Sequence, residues 1–132
     1  MIIIACVDNS FGLLFNNRRL SKDRAVTERI LELTKGHNLL TNSFSSDLFE
    51  GAITKKNEDF LITADKKDFC FIENKLPDSF EEIDKVILFF WNRDYPSDLT
   101  FPLPCNFKEV SRNEFKGYSH DKITEVHYEK DI

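Results

Sequence analysis

The chain has 132 residues, 41% of them hydrophobic and 31% charged, with a formal net charge of -5. That length supports one sizeable core and is too short for two ordinary domains, and the acidic balance argues against a general nucleic-acid binder. No stretch approaches the roughly 18 apolar residues of a membrane span, and Asp8 cuts the apolar opening too short for a signal sequence; the expected setting is cytoplasmic.

Ile2–Val7 is apolar on both faces and β-branched at its start, the pattern of a central buried strand. Asp8, Asn9, Gly12 and the loop Asn16-Asn17-Arg18-Arg19 follow. Ser21 stands as the cap of a helix predicted over 21–35, with Val26, Ile30 and Leu33 as its apolar stripe, Leu31 widening it, and Gly36 as its stop. Between 17 and 35 six basic residues face three acidic ones, the bias of a solvated face. Leu39-Leu40-Thr41 reads as a short strand, and 44–50 as one or two helical turns before Gly51. Two further strands are predicted at 59–63 and 69–72, each beside polar turns. Ser79-Phe80-Glu81-Glu82 has capping-box spacing and predicts a very short helix. The uninterrupted apolar run at 86–90 makes 85–91 a second central strand, and the carboxy-terminal part, with a strand over 122–128, reads as an antiparallel pair. The whole is expected to be one α/β domain over 1–132, a central mixed sheet with few helices. Cys6, Cys70 and Cys105 are odd in number, widely spaced and in apolar surroundings, which predicts reduced core thiols and not a disulfide framework.

The order of these features resembles dihydrofolate reductase from end to end, which implies a three-layer fold around the mixed sheet. In that family the first strand runs into a glycine-containing loop over the active site, then into a Leu-Pro-x-Asp segment whose carboxylate is the proton-donating partner of the pteridine. Leu20-Ser21-Lys22-Asp23 matches that segment with serine for proline, so the resemblance gives Asp23 the place of the catalytic acid. From 85 to 102 the spacing agrees without a gap: a strand, the excursion Asn92-Arg93-Asp94, then Asp98-Leu99-Thr100-Phe101-Pro102. Phe107-Lys108-Glu109-Val110 resembles the following strand, and Ser119-His120 precedes the last one. The pattern is also similar to Gram-positive bacterial chains that carry the label ribonuclease Z. That activity needs a His-x-His-x-Asp-His cluster, which His37, His120 and His127 cannot supply.

The departures fall where the family holds NADPH. Its adjacent glycines let backbone N–H groups approach the pyrophosphate at a helix start, but Gly12, Gly36, Gly51 and Gly117 stand far apart, and Glu73-Asn74-Lys75 occupies the matching place. The basic residue that meets the 2′-phosphate corresponds to Ser43 or its neighbours, the threonine that supports the acid to Phe89, and the proline-tryptophan pair before the acid to Arg18-Arg19. No cofactor is therefore expected. The resemblance implies a domain that has lost NADPH-dependent catalysis and binds a small anionic molecule or a protein through Asn16, Arg18, Arg19 and Arg93. The alternative is a reductase of a pteridine-like substrate with NADPH held unusually and Asp23 as proton donor.

Each candidate also has a plainer explanation. An acidic residue in a first helical turn is favoured by the helix dipole alone, loop arginines are commonly solvated, and Arg93 has Asp94 and Asp98 nearby as ion-pair partners. Guanidinium forks at 18 and 19 would suit a carboxylate or phosphate. The histidines share no metal-ligand spacing, the cysteines contain no C-x-x-C, and Ser119-His120 alone makes no catalytic triad.

Overall fold

The structure is a computed structural model that describes residues 1–49, 51–53 and 55–131. In chain order the elements are β1 (Ile2–Val7), β2 (Gly12–Phe15), β3 (Arg18–Arg19), α1 (Arg24–Leu33), β4 (Leu39–Thr41), a 3-10 turn (Ser46–Phe49), β5 (Lys55–Lys56), α2 (Phe60–Thr63), β6 (Phe69–Phe71), β7 (Lys85–Phe90), β8 (Leu99–Thr100), β9 (Phe107–Phe115) and β10 (Ile123–Lys130).

Seven strands form one mixed sheet in the order β5-β4-β6-β1-β7-β10-β9, and β3-β2-β8 form a small second sheet. From β5 to β7 all neighbours are parallel. β10 runs antiparallel to both β7 and β9. The two strands with continuous apolar sequence, β1 and β7, lie side by side in the interior, as expected of segments that must be covered on both faces. Alternation then divides them. Ile3, Ala5, Val7, Val86 and Leu88 belong to one buried cluster with Phe60 of α2, whereas Ile4, Ile87 and Phe89 belong to a second cluster with Val26 and Ile30 of α1. At the other margin β9 is almost wholly exposed, and its Lys108, Glu109, Arg112 and Glu114 discourage pairing of that open edge with another chain.

Three local expectations are corrected. The 21–35 helix is shorter: α1 spans Arg24–Leu33 and its cap is Asp23, whose side chain accepts from the Ala25 N–H, not Ser21. The 59–63 segment is helical, because the Asn57 side chain and carbonyl receive the Asp59 and Phe60 N–H groups and start a turn. This single turn buries Phe60 completely and leaves Ile62 exposed. At 79–82 there is only a turn, in which the Ser79 hydroxyl accepts from the Glu81 N–H, and no helix follows before β7. The predicted 44–50 helix is the 3-10 turn, residue 50 lying outside the described residues. The last strand extends to Lys130.

The chain leaves β1 toward β4 on one side, and the segment between β6 and β7 crosses back over β1. The direction of winding thus reverses at β1. Open parallel sheets place ligand sites beyond the carboxyl ends of their strands at such a reversal. Here that end carries Cys6, Glu73, Trp91 and the start of α1, which line one small cavity together.

Candidate functional site

Five donors converge on the carboxylate of Asp23. Oδ1 accepts from the backbone N–H groups of Ala25 (2.9 Å) and Tyr118 (3.0 Å). Oδ2 accepts from the Ser119 N–H (2.9 Å), the Ser119 hydroxyl (3.1 Å) and His120 Nδ1 (2.8 Å). The loop that supplies four of these donors approaches so closely because residue 117 is glycine: a Cβ there would overlap Asp23 Oδ2 and crowd Ile123 Cδ1. Burial favours the neutral carboxyl, but the hydrogen bonds from Tyr118, His120, Ser119 and Ala25 outweigh it and hold Asp23 well below the usual carboxylate range. Asp23 is therefore an anion at neutral pH, with no proton to donate.

His120 is 4% exposed, and its ring stacks on Trp91 at 4.6 Å between centroids. Because Nδ1 faces an acceptor-only carboxylate, the ring proton belongs on Nδ1. That leaves Nε2 as the acceptor for the Ser21 hydroxyl, 2.9 Å away. Ser21, displaced from the cap by Asp23, thus joins a Ser-His-Asp arrangement assembled from the approach to α1 and the loop before β10.

Beside this cluster lies a cavity of about 10 Å³, lined among others by Cys6, Ser21, Asp23, Leu48, Phe71 and Trp91; that is room for about one water. An open groove of about 300 Å³ adjoins it and shares Lys22, Asp23, Thr27 and Leu48, with Arg24, Asp47 and Ser119 completing its walls.

The predicted ligand residues do not gather into one clamp. Asn16 and Asn17 have φ of 51° and 59° and form the two-residue turn of the β2-β3 hairpin, a conformation that asparagine tolerates. Arg18 is exposed at the hairpin tip. Arg19 is already engaged: Nε and Nη2 hold Glu73 at 2.9 and 2.8 Å, and the buried Ser45 hydroxyl donates to the same carboxylate at 2.7 Å. Glu73, expected to repel phosphate, is instead 7% exposed inside this network. Arg93 pairs with neither Asp94 nor Asp98; its Nη2 reaches the Ser119 carbonyl at 3.5 Å, so it alone of the four touches the Asp23 loop.

Ser21 and Gly117 were not expected to matter to a site. For His120 the Ser119-His120 run was a visible signal, but its partners lie 97 and 99 positions upstream. Cys6 and Cys70 are poor nucleophiles, since burial pushes the Cys6 thiol well up, helped by Glu73, and raises Cys70 to about 12. Among the described residues no group of three or more His, Cys, Asp or Glu side chains fits a metal ion, and no helix is long and apolar enough to cross a membrane.

No protein-family model matches the chain, and no curated protein is significantly similar to it.

Proposed function

We propose that this chain is a dihydrofolate reductase-like domain that performs no NADPH-dependent reduction and binds a small anionic molecule in the groove at the start of α1. The observation that carries the reading is the state of Asp23: a carboxylate saturated by five donors holds no proton to give to a pteridine. The interior placement of β1 and β7 and the packing of α1 through Val26 and Ile30 support the fold resemblance. The residues at the expected pyrophosphate position do not fit that group, because the Glu73 carboxylate is buried there and Arg19 is committed to it.

The groove suits an anion for local reasons. Lys22 and Arg24 line it, Arg24 is held over the Tyr118 ring at 4.4 Å, and the positive end of α1 opens onto it. Asp47 and the Asp23 carboxylate also line it, which favours a ligand that carries a hydrogen-bond donor as well, such as an amino acid or hydroxy acid.

Fluorescence of Trp91 and a thermal-shift screen test this together. NADPH should give no saturable quenching below millimolar concentration, a binding free energy of about -4 kcal/mol or weaker, while amino-substituted carboxylates should raise the melting temperature in wild type and not in the Lys22→Ala/Arg24→Ala variant. Micromolar NADPH quenching would instead establish the reductase alternative. Stabilisation that survives the double substitution would move the anion site elsewhere.

A further inference from the structure

We propose that Ser21, His120 and Asp23 form an acyl-transfer relay that hydrolyses small carboxylic esters at the half-buried Ser21 hydroxyl. Such a relay goes beyond the binding reading, which shares Asp23 with it but assigns no role to Ser21 or His120. Its parts have the required order: Asp23 Oδ2 to His120 Nδ1 at 2.8 Å, and His120 Nε2 to Ser21 Oγ at 2.9 Å. Such a relay is recognised by geometry and roles, whatever the fold or chain order.

Further features separate it from a merely structural network. Asp23 remains ionised and is fixed by four donors besides the imidazole, so it orients His120 and stabilises the imidazolium that forms when the serine is deprotonated. Ser21 is half-buried while His120 and Asp23 are buried, which puts the nucleophile at the surface of the cluster and its base and the orienting carboxylate behind it. The Ser21 hydroxyl caps no helix, and its hydrogen bond is to His120. The small cavity at Ser21 has the size of the single water that deacylation consumes.

The reaction closes in two halves. As Ser21 Oγ bonds to the ester carbonyl carbon, its proton passes to His120 Nε2 and the carbonyl π pair moves onto oxygen. Collapse of that tetrahedral species expels the alkoxide, which takes the proton from Nε2 and leaves as the alcohol, so the acyl group remains on Ser21. Water then repeats the sequence: it loses a proton to Nε2, attacks the acyl carbon, and the proton returns to Ser21 Oγ as the carboxylic acid departs. Lys22 and Arg24 on the groove wall favour acyl groups that carry a second, anionic end.

The full chain would be exposed to a fluorophosphonate and assayed with p-nitrophenyl acetate. Wild type should form one covalent adduct, mapped by peptide mass spectrometry to Ser21, and should hydrolyse the ester. Ser21→Ala should abolish the adduct and lower hydrolysis at least about a hundredfold with an unchanged melting temperature, whereas Ser111→Ala, on the exposed edge strand, should behave as wild type. No adduct on wild type, an adduct at another serine, or undiminished hydrolysis by Ser21→Ala would overturn the relay. None of these results bears on the thermal-shift response to carboxylates, so the two proposals fail separately.

Discussion

Gly117 and Asp23 are packed so closely that position 117 admits no side chain, since a Cβ there would occupy the space of the Asp23 carboxylate. The glycine is what allows the Tyr118 and Ser119 N–H groups to reach that carboxylate. Gly117→Ala should therefore cost about 1 to 3 kcal/mol, the usual range for overpacking. Urea denaturation at neutral pH checks it, and an unchanged midpoint would show that the loop retreats without loss.

Acid should weaken the protein through the same residue. The folded-state pKa of Asp23 is lowered relative to its unfolded value of about 3.9. Its contribution is thus fully present above that unfolded value and is lost as pH falls through the folded one. Asp23→Asn should be less stable than wild type at pH 7 by roughly 1 to 3 kcal/mol, and the gap should narrow below about pH 4. Denaturation series from pH 7 to pH 3 measure this; a gap that widens in acid would contradict the assignment.

Arg18 and Arg19 are adjacent yet should behave differently. Arg19→Ala leaves the buried Glu73 carboxylate without its bidentate partner and should cost on the order of 3 kcal/mol. Arg18→Ala, at an exposed turn, should stay within about 0.5 kcal/mol of wild type. Equal effects of the two substitutions would mean that the Arg19-Glu73 pair contributes nothing.

Thiol reactivity should be limited to one position. Cys105 is exposed in the turn before β9 and is not the core thiol expected of it, whereas Cys70 is buried and Cys6 is partly covered, with both covered thiols shifted upward. A native sample treated briefly with a maleimide at pH 7 should take up one label, mapped to Cys105, and an unfolded sample three. Early labelling of Cys6 would show that the strand end opens readily.

Much of the scaffold was legible because burial leaves a local periodic record. The two-faced apolar runs of β1 and β7, the Val26-Ile30 stripe of α1 and the carboxy-terminal antiparallel pair all lie where residue order alone put them. Where a short segment was compatible with two states, residue order was not enough. Phe60-Leu61-Ile62 suits a strand or a helical turn, and the fold chose the turn because one side chain, Phe60, had a core to enter.

The site was decided almost entirely by tertiary structure. Ser21 and Asp23 are both competent helix caps two residues apart, and nothing local distinguishes them. His120, brought in from the other end of the chain, hydrogen-bonds both, while Asp23 alone also receives the Ala25 N–H and becomes the cap. Arg19 looked free for a ligand because its partner Glu73 lies 54 positions away, across the reversal of the sheet at β1. Apolar spacing reports how each segment is buried, but the pairing of charges and hydrogen-bonding groups depends on which strand ends the crossovers bring together, and that information exists only once the sheet has closed around β1.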